Sequence, residues 1–205
     1  MAPREIGIFA LPTVLVPGER MPLHIFEDRY KRLIGDCLER DDEFLLLYAD
    51  EEGTRELGCG ARVEEVLEEL EDGRMNIIIA GTAVLRVTEI TRGREYTTAL
   101  VEAAADDLST GEETGPVLDL YRQIAAAGGG DPDEDMLAGE GPLSYAIMAR
   151  VDFPAAEKQR VLELRTESER LMAIVDLLAR GLQALAQIEE IRERAQTNGK
   201  VPHGD

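Results

Sequence analysis

The chain reads as an α+β protein: an N-terminal β-rich pseudo-barrel lobe with one helix, followed by a C-terminal helical bundle that ends in a long helix. Three observations predict it. The first hundred or so residues are a succession of short apolar runs punctuated by glycine and proline, the pattern of strands and turns. One stretch among them, beginning at Phe26, changes to helical spacing. Beyond residue 116 strand-like runs disappear, and apolar residues recur three and four apart. With 205 residues, 44% of them hydrophobic, the chain can bury a real core. Its change of character falls in a small, acidic segment, 106–115, read as a linker between a β-rich lobe (1–105) and a helical lobe (116–195), with 196–205 as a flexible tail.

Taken in order, residues 5–10 form a first strand, ended by Pro12. Residues 14–16 form a second, short one before Pro17-Gly18, a tight turn in which proline presets φ and glycine can take a positive φ. Extended chain resumes over 21–25. From Phe26 the apolar positions Phe26, Tyr30, Leu33, Ile34, Cys37 and Leu38 mark one face of an amphipathic helix, with acids at its start and Arg40 at its end suiting the helix dipole. Residues 44–48 (FLLLY) are continuously apolar, as in a strand buried on both faces. An acidic loop, 50–56, leads into 57–63, where Gly58 and Gly60 mark a bulge or a close backbone approach. Residues 63–70 have helical spacing at Val63, Val66, Leu67 and Leu70. The following Asp72-Gly73 and the apolar run 75–80 make a hairpin of strands the better reading. Runs 84–90 and 96–104, joined through Arg92-Gly93-Arg94, complete the lobe as a small open barrel or packed sheets.

In the second half, 117–127 is a short helix ended by Gly128-Gly129-Gly130, and 130–141 is loop. Residues 143–151 are a strongly apolar helix, and Pro154 suits the first turn of another, running to about residue 164. Thr166 and Glu169 have capping-box spacing for the final helix, whose stripe is Leu171, Ile174, Val175, Leu178, Leu182, Leu185 and Ile188; Asn198-Gly199 closes it.

The net charge of −20, spread over both halves, repels nucleic acid and anionic membrane surfaces, so neither is expected as a partner. Cys37 and Cys59 match no zinc or redox spacing and read as buried, reduced thiols. The N-terminus has no signal-peptide pattern and no apolar run looks long enough to span a membrane, which leads us to expect a soluble, cytoplasmic protein.

No constellation carries catalytic chemistry. His24 and His203 are the only histidines, and nothing around Ser109, Ser144 or Ser168 resembles a nucleophile elbow; His24 reads as a structural hydrogen-bonding group. Asp131, Asp133 and Asp135 start like a calcium loop, but Met136 stands where glycine is needed and Pro142 where glutamate is, which leaves a solvated acidic loop. The paired acids at 64–65, 68–69 and 71–72 read as a solvated edge. Gly128 to Gly130 lack the lysine of a phosphate loop. We therefore expect no catalytic residues, no metal and no cofactor. What remains is binding, with Val16, Met21, Pro22 and Leu23 around the Pro-Gly turn as the candidate surface for peptides.

One stretch carries a family resemblance. The run P-G-x-x-x-P-L-x-I-F-E-x-R-Y, here Pro17, Gly18, Pro22, Leu23, Ile25, Phe26, Glu27, Arg29 and Tyr30, resembles the signature of the Lon protease N-terminal (substrate-binding) domain. Weaker echoes follow in order: Asp36-Cys37-Leu38, Leu57-Gly58-Cys59-Gly60-Ala61, the hairpin Asp72-Gly73-Arg74, and 81–87, where Val84-Leu85 replace the usual Arg-Phe. The helical pattern E-K-Q then appears at Glu157-Lys158-Gln159 with Leu162-Glu163, and Glu169-Arg170-Leu171 after it. The resemblance covers about residues 4–190. It implies a barrel-like lobe and a helical bundle that recruit unfolded or tagged proteins and support oligomer assembly. The ATPase module and Ser-Lys pair of full-length Lon proteases are not found in these residues, so the expectation is a stand-alone, non-catalytic polypeptide-binding module. Its partners would be unfolded or exposed polypeptide segments, with a Lon-type protease as candidate partner and a homo-oligomer as an open option. The alternative is a scaffold or regulator that assembles with a specific folded partner through the C-terminal helix.

Overall fold

The computed structural model describes residues 4–91, 95–109, 114–133 and 141–198. The elements are β1 (Arg4–Leu11), β2 (Arg20–Ile25), α1 (Asp28–Arg40), β3 (Phe44–Asp50), β4 (Gly53–Thr54), β5 (Leu57–Glu69), β6 (Met75–Thr91), β7 (Thr98–Ala103), α2 (Thr114–Ala127), α3 (Leu143–Met148), α4 (Ala155–Leu162) and α5 (Glu167–Asn198). The expected fold class, strands with one helix and then helices ending in a long one, is what the structure shows.

The strand ladder closes on itself. β1 pairs with β7 on one side and, in parallel, with β3 on the other, while β7–β6, β6–β5 and β5–β3 are antiparallel. Inside this ring lie Ile6, Ile8, Leu45, Leu47, Leu85, Ala99 and Val101. β5 contributes glycine to the interior: a Cβ on Gly58 would stand 2.2 Å from the Leu46 carbonyl oxygen and 2.8 Å from Leu47 Cδ2, and one on Gly60 3.2 Å from Leu85 Cδ1. A five-stranded ring has no room for more side chain there, so these glycines mark a close approach.

Outside the ring, α1 lays Tyr30, Leu33, Ile34 and Cys37 over Phe9, Phe44, Leu46, Cys59, Ile77 and Ile79. The helix begins at Asp28, not at Phe26. Glu27 is extended (ψ 134°), and Phe26 is 60% exposed instead of facing the core. β2 joins the sheet through β6 alone, and β5 and β6 run on together past the ring as a hairpin. Its turn forms at Asp72-Gly73 with Gly73 at φ 76°, as expected. Residues 63–69 are strand, as the hairpin signal favoured.

Two strands differ from expectation. Residues 14–16 are buried, irregular chain rather than a strand, and the runs 75–80 and 84–90 are one 17-residue strand, β6. Gly81 interrupts the apolar pattern without interrupting the strand, because the chain at Val16 presses against it: a Cβ there would be 2.1 Å from the Val16 carbonyl oxygen. The acidic loop also contains the short strand β4.

The helical lobe shares its core with this N-terminal chain. Val14, Val16, Tyr48 and Leu57 lie in one buried cluster with Val117, Tyr121, Tyr145, Ile147, Met148, Val161, Leu162, Leu171, Ile174 and Leu178. The capping box closes as read, with Glu169 N–H donating to Thr166 Oγ1 (3.1 Å) and Thr166 N–H to Glu169 Oε2 (3.2 Å). α3 ends at Met148 and α4 at Leu162, a little short of the expected limits. The segment 106–109 is tied down, since Asp107 N–H donates to the Arg165 carbonyl and Glu167 N–H to the Asp107 carbonyl. The loop residues 134–140, part of the region considered and rejected as a calcium site, and the tail residues 199–205 lie outside the described residues.

The stripe of α5 is core only in its first half. Leu171, Ile174 and Leu178 are buried, but Leu185 and Ile188 are exposed. One stretch within Glu167–Arg192 also has the length and apolarity of a membrane span, contrary to expectation. Its first half is already used as the core of a folded lobe.

Candidate functional site

The Pro-Gly turn is held from both sides. Glu19 N–H donates to the Val16 carbonyl (3.1 Å) with Gly18 at φ 78°, and the turn is stitched to β6 by Gly18 N–H to the Gly81 carbonyl and Gly81 N–H to the Glu19 carbonyl, each 2.9 Å. The Glu19 side chain folds back under the turn, where it accepts from Val16 N–H (2.9 Å) and from Lys158 Nζ at both carboxylate oxygens (2.7 and 2.8 Å). Both residues are 8% exposed. Two charges this deeply buried are tolerated because each is paired and hydrogen-bonded. At the next residue of α4, Gln159 Nε2 donates to the Leu57 carbonyl (2.9 Å). The Lys-Gln of the helical motif thus grips the β-rich lobe at two points.

This junction floors a groove of about 640 Å³ between the lobes. One wall is Pro12, Thr13, Val14 and Met21; the other is Met148, Val151, Phe153 and Pro154, with Arg150 and Asp152 exposed at the rim. Pro154 stands at the N-cap of α4 with extended ψ (136°) and starts the helix below the groove. Met and Phe side chains over a neutralised ion pair can accept apolar side chains of varied shape.

The four residues singled out in the sequence part company here. Met21 lines the groove. Val16 is fully buried in the helical-lobe cluster and offers no surface of its own. Leu23 is half-buried against the barrel-side core, and Pro22 is exposed beside it on β2. His24, on the exposed face of β2, has its Nδ1 2.7 Å from Asn76 Oδ1, whose Nδ2 donates to Glu68 (2.8 Å). The Ser144 hydroxyl is buried and donates to Glu167 (2.6 Å). Burial pushes the Cys59 thiol up to about 12, so it remains protonated. Among the described residues no three His, Cys, Asp or Glu side chains group as metal ligands.

Sequence reasoning missed Glu19, Lys158, Met148, Val151 and Phe153. Glu19 falls on an unspecified position of the opening motif. Lys158 falls within the E-K-Q pattern; that it is one of just three lysines, with apolar residues three and four positions on, is the available signal.

Residues 5–180 match the family model described as the ATP-dependent protease La (LON) substrate-binding domain. The chain belongs to this family. It is 28% identical over 189 residues to Lon protease 2 of Myxococcus xanthus, covering 82% of this chain and 22% of that protein. It is 25% identical over 212 residues to Lon protease 2 of Syntrophobacter fumaroxidans, covering 95% of this chain and 27% of that protein. The chain thus spans only 22–27% of the length of these relatives. Among solved structures, a Lon N-terminal domain protein from Xanthomonas campestris superposes with a TM-score of 0.64 at 21% identity, over 86% of this chain and 98% of that one. The N-terminal domain of the Mycobacterium avium complex Lon protease gives 0.67 at 14% identity, with the same coverage. These likenesses establish a Lon N-terminal-domain fold. In that fold the opening signature and the E-K-Q motif, far apart in the chain, meet at the Glu19–Lys158 pair.

Proposed function

We propose that this Lon-family chain is a non-catalytic polypeptide-binding module, and that it holds exposed or unfolded protein segments in the groove between its two lobes. The observation that carries this reading is the groove's composition: half-buried Met21, Val151 and Phe153 line it over a floor whose charges are already satisfied, with Met148 buried behind them. Such a surface selects apolar side chains without reacting with them. Of the sequence-derived peptide-binding residues, Met21 would touch the ligand; Val16, Pro22 and Leu23 would set the wall behind and beside it. Net charge −20 favours segments that are basic as well as apolar. A Lon-type protease is the partner to which such a module would deliver its cargo.

The test is capture on an immobilised array of overlapping peptides from unrelated proteins, repeated with Met21→Ser/Phe153→Ser. The expected result is selective capture of apolar, basic peptides, falling about tenfold in the double variant at an unchanged melting temperature. Undiminished capture by the folded variant would rule the groove out.

A second reading, a scaffold that meets a folded partner through α5, is favoured by the exposed Leu185, Ile188 and Ile191. It predicts a blank array, and loss of the partner complex on Leu185→Ser/Ile188→Ser.

A further inference from the structure

The three-stranded extension β2–β6–β5 has two free edges, and they are not alike. β2 forms one edge, and mid-strand it carries Pro22, which has no N–H to offer a neighbour. The other edge is β5 beyond Ala61, the last residue it pairs with β3. From Glu64 to Glu69 every residue is exposed, and no backbone hydrogen bond joins this edge to any described residue other than those of β6. No proline interrupts it. Its side chains are Glu64, Glu65, Glu68 and Glu69, with Val66 (40% exposed) and Leu67 (54%) between them. Glu64 pairs with Arg20 and Glu68 accepts from Asn76, but Glu65 and Glu69 form no ion pair with any described residue.

Charges on an edge strand ordinarily guard it against pairing with its own kind, and two such edges on a chain of net charge −20 would repel each other. Guarding does not call for an exposed Val-Leu pair, which on a free edge is a liability. Register shifts fall between Val63 and Glu65 and between Val66 and Glu68, so the exposed pair sits at the middle of the edge where its pairing with β6 is irregular. An open backbone, apolar contacts at its centre and uncompensated carboxylates around them together describe a partner of one chemistry.

We propose that the free edge of β5 takes an extended polypeptide segment in which lysine or arginine alternates with apolar residues, by strand addition: main-chain hydrogen bonds from the edge, apolar contacts at Val66 and Leu67, and charge pairing at Glu65 and Glu69. This surface is separate from the groove and goes beyond the reading given for it.

The probe is a short synthetic peptide of alternating lysine and valine, titrated into the full chain at low and high salt. Binding should fall by about tenfold or more when alternate peptide nitrogens are methylated, since strand addition needs the main-chain N–H groups. Glu65→Lys/Glu69→Lys should weaken it about tenfold at low salt and flatten its salt dependence. These are exposed positions, so circular dichroism should show this variant folded as the parent is. Met21→Ser/Phe153→Ser removes any share of the probe held in the groove, and the binding that remains in that background should keep its sensitivity to N-methylation and to Glu65→Lys/Glu69→Lys. Equal binding of the methylated peptide, unchanged binding by the lysine variant, or no binding of the probe at all would overturn the proposal. Loss confined to the Met21/Phe153 variant would overturn it too, while leaving the groove reading standing.

Discussion

The interior of the strand ring and the core of the helical lobe are held together by opposite means. The ring interior is packed with seven buried apolar residues, enclosed by strands that pair all the way round. The helical lobe buries a charged knot. Arg170, 1% exposed, donates to Glu167 Oε2 (2.9 Å), to the Ser144 hydroxyl (3.0 Å) and to the Leu164 carbonyl (3.2 Å), and pairs with Asp106 (2.8 Å). Its guanidinium also lies 4.7 Å from the centre of the Tyr145 ring. Three other short or irregular pieces of chain, around Asp106, in α3 and after α4, converge on this one side chain. A sheet needs no such device because its hydrogen bonds already fix the register. Short helices of six and eight residues contribute too few contacts to fix one another, and directional bonds supply the missing specificity.

That contrast predicts different responses to substitution. Arg170→Ala leaves Glu167 buried without its cation and should cost about 3–5 kcal/mol, read as a fall in the denaturation midpoint. Arg170→Lys should recover little of this, since a point charge cannot serve acceptors placed around a planar fork. In the ring, Leu47→Ala should cost about 2–5 kcal/mol by opening a cavity, but Leu47→Met should cost less than about 1.5 kcal/mol. If Arg170→Lys were as mild as Leu47→Met, the helical core would be held by packing and not by geometry.

The junction between the lobes should behave as a smaller version of the knot. Lys158→Met strands the Glu19 carboxylate and should destabilise the protein by about 3 kcal/mol. Adding Glu19→Gln should restore most of that loss, because a neutral amide still accepts the bond from Val16 N–H and no charge is left buried. A double variant no better than the single would mean that the ion pair itself, not the avoidance of a lone charge, joins the lobes.

The capping box marks how far the sequence can be read. Thr166→Ala should cost about 1 kcal/mol, since it frees one N–H at the start of α5. Thr166 and Glu169 were legible because a cap is local, with both partners within three residues. So were the Pro17-Gly18 and Asp72-Gly73 turns, for the same reason. Val16 was misjudged as surface because what buries it is made by residues from 32 to more than 150 positions away, most of them in the helical lobe. Phe26 was misplaced on α1 because helical spacing to Tyr30 says nothing about where the helix starts. The runs 75–80 and 84–90 read as two strands because the apolar pattern lapses between them, where Gly81 meets a demand for contact with Val16. The groove was legible on one wall only: Met21 lay within the singled-out stretch, while Phe153 and Lys158 needed the fold to bring them there.

The two cysteines give the mildest test of the ring and its cover, because they report on burial without disturbing it. Cys59 lies under α1, where burial raises its thiol from 9.0 to about 12. At pH 8 this leaves on the order of a thousandfold fewer thiolates than in the unfolded chain. In a Cys37→Ser background a disulfide reagent should therefore modify Cys59 at the rate of unfolding, and promptly once denaturant is added. The same shift has a sign in stability. The folded state keeps its proton above pH 9 while the unfolded state releases it, so this contribution is complete below about pH 9 and is lost as pH climbs towards 12. Rapid labelling of Cys59 in native conditions, with no alkaline loss of stability relative to Cys59→Ala, would mean that α1 lifts from the ring far more readily than the rest of the lobe unfolds.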